Sequence, residues 1–165
     1  AGVRSIEHAS LIDDEALAMA KKAGTWLVMD IYNGDYIDDI GTKERWPEEY
    51  LRKNRETTDI QREGFTKAVK MGVKIAYGTD AGVSKHGRNA DEFEWLVKFG
   101  MSPMDAIKAA TVNAAALLGL EKEVGTLEVG KSADIIAVDG DPLADVRVLK
   151  RMAFVMARGE VVALN

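Results

Sequence analysis

Gly72-Val73-Lys74-Ile75-Ala76-Tyr77-Gly78-Thr79-Asp80 combines three signals: a glycine closing a helical run, a short β-branched and aromatic segment, and a carboxylate at its end. A glycine just past a helix supplies the left-handed residue that terminates it. The apolar run behind it suits a strand buried on both faces. Two further stretches share the pattern. Gly2 precedes Val3-Arg4-Ser5-Ile6-Glu7-His8, and Gly24 precedes Thr25-Trp26-Leu27-Val28-Met29-Asp30. The three predicted strands therefore end in His8, Asp30 and Asp80.

Helices are predicted between and after them. Asp13 can cap residues 14–23, where Leu17, Ala20 and Ala23 fall near one face. Pro47 suits the start of a helix running towards Met71, with a break expected near Thr57-Thr58 because the stretch is long for one helix. Asn89 or Ala90 opens a short helix through Phe93, Leu96 and Val97 that Gly100 ends. Ser102-Pro103 is a favourable N-cap and N1 pair for a helix reaching Leu118. Strand and helix alternate, so the fold class is α/β with parallel strands. Right-handed crossovers put the C-terminal ends of such strands on one side, where parallel barrels and open α/β sheets build their sites.

Beyond Leu120 the pattern changes. Residues 124–127, 133–138, 152–156 and 161–164 read as short strands, and Arg158-Gly159 as a hairpin turn. Two domains are expected, residues 1–122 and residues 123–165, the second with too few strands to close a sandwich alone. There is no initiator methionine, and Ala1-Gly2-Val3-Arg4-Ser5-Ile6 reads as the end of a helix running into a strand. The chain is expected to be a piece of a longer protein.

Composition narrows the chemistry. The 165 residues are 47% apolar and 30% charged, which is ordinary for a globular chain. No apolar run approaches the ~18 residues of a membrane helix. The net charge of −5 argues against nucleic acid and anionic membranes as partners. With no cysteine, thiol nucleophiles, disulfides and iron–sulfur clusters are excluded, and the redox compartment cannot be read. A cytoplasmic location is the expectation, with a signal peptide on a longer parent left open. Metal chemistry would rest on His8, His86 and carboxylates.

Each candidate has two readings. His8 is either a hydrogen-bonded structural histidine or a metal ligand. Asp80 either caps the next loop or binds a metal and takes a proton from water, since a buried carboxylate there needs a partner. Asp30 reads as a loop hydrogen-bonder. His86, in the loop after Asp80, is a solvent-facing residue or a substrate contact, as is Tyr32 after the middle strand. Glu92 and Glu94 read as a solvated helix face. One His and one Asp fall short of the roughly four ligands zinc takes, so this chain would hold part of a site.

Ser5-Ile6-Glu7-His8, Gly78-Thr79-Asp80-Ala81-Gly82, Ala109-Ala110-Thr111-Val112-Asn113-Ala114-Ala115 and the run from Gly125 through Asp134-Ile135, in that order, resemble the amidohydrolase superfamily. So does the ending around Arg158-Gly159-Glu160. His86-Gly87 and Asp91-Glu92 look most like prolidase-like and Xaa-Arg or Xaa-Lys dipeptidases, with imidazolonepropionase-like hydrolases next. The resemblance implies the C-terminal part of a (β/α)8 TIM-like barrel, strands six to eight, plus part of a small β-sandwich. It implies a metal-dependent hydrolase of amide or peptide bonds using one or two divalent ions, zinc foremost. His8 and Asp80 match metal ligands, and Asp80 also matches the general base. His86 and Tyr32 are the substrate-binding candidates, and a small peptide or cyclic amide is the substrate class. The remaining ligands of the family pattern, a strand-one His-x-His pair, a lysine and a second histidine, have no counterpart here. This chain alone is therefore expected to be inactive, and to sit beside the N-terminal remainder of its barrel or in a homo-oligomer. Two other classes stay in view: a non-catalytic half-barrel that only pairs with a complementary chain, and a flavodoxin-like binding module, whose Gly-rich phosphate loop is absent.

Overall fold

A computed structural model describes residues 2–164; Ala1 and Asn165, the outer limits of the two expected domains, lie outside the described residues. Three short strands, β1 (Ser5–Glu7), β2 (Trp26–Val28) and β3 (Ile75–Ala76), form a sheet in that order. They are parallel, with Ile6 opposite Leu27 and Leu27 opposite Ile75. They are shorter than the sequence pattern suggests. His8 and Ala9 take φ of 61° and 47°, so the backbone leaves the extended region as soon as β1 has passed Glu7.

The helix α1 (Asp14–Ala23) begins where expected, with the Asp13 carboxylate accepting the Ala16 N–H at 2.8 Å. Gly24 ends it with φ of 69°. Leu17 of α1 and Leu27 of β2 are fully buried, together with Phe65 and Leu96 from later helices. This cluster is the core.

The helix α2 (Asn33–Lys43) has no counterpart in the sequence reading. No side chain caps its start, and Gly34 and Gly41 lower its propensity. Those glycines are there for contact with α3 (Glu48–Met71). A Cβ on Gly34 would lie 2.3 Å from Thr58 Oγ1 and 2.5 Å from Thr58 Cγ2, and one on Gly41 would lie 2.6 Å from Leu51 Cδ2. Gly34→Ala is expected to destabilise the fold by about 1–3 kcal/mol through overpacking, against the ~1 kcal/mol that helix propensity would add. Chemical denaturation should show the loss largely relieved in the Gly34→Ala/Thr58→Ala double variant.

The expected break in α3 does not occur; the helix is continuous for 24 residues. Within it, Thr57 and Thr58 donate their hydroxyls back to the carbonyls of Lys53 and Asn54, so both side chains are satisfied inside the helix. Next come α4 (Asp91–Lys98) and α5 (Pro103–Lys108), the latter capped by Ser102, whose Oγ accepts the Asp105 N–H. The predicted single helix to Leu118 is interrupted by a π-turn, Ala109–Asn113, before α6 (Ala114–Leu118). The wider turn lets Ala109 O accept the Tyr77 N–H at 3.0 Å and Asn113 Nδ2 donate to Ile75 O at 2.9 Å. A helix thereby satisfies the outer edge of β3.

The tail forms an antiparallel sheet, β4 (Ile135–Val138), β5 (Met152–Ala157) and β6 (Glu160–Leu164), in that order. Arg158 and Gly159 make the hairpin turn with φ of 51° and 83°. The strand expected at 124–127 is absent. That segment is a bend following a turn at residues 121–123, and Lys131 Nζ braces it by donating to Glu121 O and Thr126 Oγ1. Lys150 joins the tail to α4 through Asp91 at 3.0 Å and Glu94 at 2.7 Å, so Glu94 carries an ion pair as well as facing solvent. Among the described residues, no helix is long and apolar enough to cross a membrane.

Candidate metal centre

The ends of the three parallel strands lead directly into one cleft, lined by Glu7, His8, Val28, Asp30, Gly78 and Asp80. His8, Asp30 and Asp80 each place one ligand atom within 4.8 Å of the others. His8 and Asp80 reach this position from left-handed backbone conformations, with φ of 61° and 45°. Such strained geometry in non-glycine residues costs on the order of 1–3 kcal/mol and clusters at functional sites.

The three groups differ in surroundings. The His8 side chain is 53% exposed and that of Asp30 only 11%. Asp30 Oδ1 lies 2.9 Å from His8 Nδ1. Gln61 Nε2 donates to the same oxygen at 3.3 Å and also to His8 O at 3.1 Å. Asn33 Nδ2 donates to Asp30 Oδ2 at 2.8 Å and to Thr79 O at 3.2 Å. The hydrogen bond to Asp30 raises the His8 pKa above its ordinary value; partial burial opposes this, and the charges of Asp30, Asp80 and Glu7 add to it. Asp80 is exposed at the mouth of the cleft.

The loop carrying Asp30 into α2 is held from behind. Glu92 is 1% exposed, and its two carboxylate oxygens accept the N–H groups of Ile31 and Tyr32, each at 2.9 Å. Arg62 donates Nε and Nη2 to Ile31 O while pairing with Asp35 at 2.8 Å and stacking on Trp95 at 4.5 Å. The Ile31 residue is thus gripped on both its N–H and its C=O. This overturns the reading of Glu92 as a solvated residue. It shares the inward stripe of α4 with Leu96, four residues on, and that spacing is the signal that could have found it. Gln61 and Asn33 carried no comparable signal, and Asp30 does more than bond within its own loop.

The expected substrate contacts lie apart from the cleft lining. Tyr32 is partly buried, with Tyr36 and Trp95 each 6.3 Å from its ring and Arg88 5.8 Å from it. Burial pushes its phenol pKa up. His86 lies exposed in the loop after Asp80 and has no hydrogen-bond partner among the described residues.

An imidazole and two carboxylates around one small space form a donor set suited to a divalent cation. They could supply at most part of a coordination shell, because zinc takes about four ligands.

Comparison with known proteins identifies the family of the chain. The model of the amidohydrolase family matches residues 1–162. A solved Xaa-Pro dipeptidase with methionine bound in its active site superposes with a TM-score of 0.89 and 40% identity, over 98% of this chain and 40% of its own. Ochratoxinase from Aspergillus niger is 35% identical over 160 residues, 91% of this chain and 31% of the relative. Imidazolonepropionase from Symbiobacterium thermophilum is 33% identical over 138 residues, 82% of this chain and 28% of the relative. The chain thus spans well under half the length of the proteins it matches.

Proposed function

This chain belongs to the amidohydrolase family, and from that premise we propose that it supplies part of the active site of a metal-dependent hydrolase of amide or peptide bonds, a dipeptidase of the Xaa-Pro kind. Residues 1–122 would form strands six to eight of a (β/α)8 barrel with their helices, and residues 123–165 a share of a small β-sandwich. The observation that carries the reading is the meeting of His8 and Asp80 at the ends of separate parallel strands. A dipeptide is favoured over a cyclic amide because the dipeptidase match covers more of this chain.

His8 and Asp80 would hold one or two divalent ions, zinc foremost, with the other ligands contributed by the remainder of the barrel. When bound, the ion supplies Lewis acidity towards the substrate carbonyl and lowers the pKa of water. Asp80, exposed at the cleft mouth, would take the proton of the attacking water and pass it to the departing amine. Tyr32 and His86 lie on the two loops at this end of the sheet and would line the substrate's approach. Asp30, Asn33 and Gln61 would keep the strand ends in register during the reaction.

The strand edge of β1 and exposed apolar side chains such as Leu118 and Leu127 would be covered by that remainder or by a second copy. Combining the chain with the missing portion of the fold, in zinc, tests the reading. Hydrolysis of an Xaa-Pro dipeptide by the assembled protein, with none from the chain alone, is the expected result. Absence of bound metal and of hydrolysis from a correctly assembled protein would contradict it. A stable, monodisperse monomer of the chain alone by light scattering would count against the covered surface.

A further inference from the structure

We infer that Asp30 is a positioning residue for His8 rather than a third metal ligand: it holds the imidazole in the Nδ1–H tautomer, so that Nε2 is the nitrogen offered to the cleft. The tautomer stands on geometry alone; only the role of Nε2 as a ligand rests on the proposed metal reading.

The argument starts from the lone pairs. A carboxylate is acceptor-only, so the 2.9 Å contact between Asp30 Oδ1 and His8 Nδ1 requires the ring nitrogen to donate. In the neutral ring the other nitrogen is then the free acceptor. Asp30 has little left to give a cation. Oδ1 accepts from both His8 and Gln61, and Oδ2 accepts from Asn33. Coordination through Oδ1 would take an acceptor from His8 or from buried Gln61, at about 1–3 kcal/mol for a buried donor left unpaired, and Oδ2 keeps one lone pair beside the Asn33 bond. Asp80 has no such engagement among the described residues and is exposed.

The donors on Asp30 are themselves fixed. Gln61 and Asn33 are 7% and 5% exposed, and each spends a second hydrogen bond on another strand end, Gln61 on His8 O and Asn33 on Thr79 O. One carboxylate therefore ties together the ends of all three parallel strands. The backbone that carries it is clamped by Glu92 and Arg62 through Ile31. A ligand histidine whose second nitrogen donates to a carboxylate is a recurrent arrangement, and removing such a partner weakens metal binding by about 10–100-fold.

The chain contains only two histidines, which makes the test direct. Long-range proton–nitrogen spectra of the ¹⁵N-labelled, metal-free full chain, taken at alkaline pH where the rings are neutral, should show His8 protonated at Nδ1 and bare at Nε2. Exposed His86 serves as the internal reference for an unconstrained ring. A His8 ring protonated at Nε2, or a tautomer mixture like that of His86, overturns the proposal without any variant being needed. Zinc titration of the assembled protein gives the second arm. Asp30→Asn, close in shape and checked for fold by circular dichroism, should bind zinc about 10–100-fold more weakly. Unchanged affinity overturns the positioning role, and an Asp30 oxygen bonded to zinc in a metal-loaded structure overturns its exclusion as a ligand. The Nδ1–H tautomer in a protein whose assembled form takes up no zinc would support the His8–Asp30 assignment and overturn the metal reading.

Discussion

Asp80→Asn should lower turnover of the assembled, zinc-loaded enzyme by about 10²–10⁴-fold, the range that a positioned general base contributes. The substitution keeps shape and one acceptor oxygen but removes the group that receives the proton. It also removes the negative charge beside His8. Folding should be untouched, because Asp80 is exposed and outside the core cluster. The left-handed backbone at Asp80, with φ of 45°, is one that asparagine tolerates as well as aspartate does. Steady-state kinetics and a thermal melt measure both halves. Near-normal kcat in the variant would remove Asp80 as the base. A collapsed melting temperature would mean that the residue serves the fold and not the chemistry.

Glu92→Ala carries the largest stability effect we expect. It strips the acceptors from the N–H groups of Ile31 and Tyr32, at about 1–3 kcal/mol for each buried donor left unsatisfied. A total near 3 kcal/mol would lower Tm by roughly 10 °C in a chain of this size. The same residue gives stability a pH dependence. Burial pushes the Glu92 pKa up to about 8 from an ordinary 4.5, while the two backbone N–H groups and Arg62 pull the other way. The folded chain thus holds this proton more tightly than the unfolded chain does. That contribution is fully present below pH 4.5 and is lost as pH rises through about 8. Denaturation of the wild type should therefore show stability falling across that window relative to Glu92→Gln, which cannot titrate. Parallel profiles for the two proteins would remove burial of an ionisable Glu92 from the explanation.

What the sequence disclosed and what it hid follow from the range of the interactions involved. The parallel direction of β1, β2 and β3 was legible because Gly24 and Gly72 stop helices by local backbone geometry and the runs behind them are apolar. The caps at Asp13 and Ser102 were legible for the same reason. The helix α2 was hidden because its glycines are explained only by Thr58 and Leu51 on another helix. The continuity of α3 past Thr57-Thr58 was hidden because its length rests on packing against other segments, such as Phe65 and Ala68 in the core, which the local sequence does not show. In the site, His8 and Asp80 stood out because chemistry-bearing residues at strand ends are readable from pattern. Asp30 sat at a predicted strand end too, but its role was hidden, since its partners Asn33, Gln61 and His8 come from three separate segments. Glu92 was misread because charge was weighed ahead of its place on the stripe with Leu96.

The most direct test of the shared cation is anomalous diffraction at the zinc edge from crystals of the assembled protein. The account predicts a peak in the cleft, about 2.0–2.2 Å from His8 Nε2 or from an Asp80 carboxylate oxygen for one ion, and peaks serving each residue if two ions bind. An active protein whose zinc lies away from both side chains would contradict it.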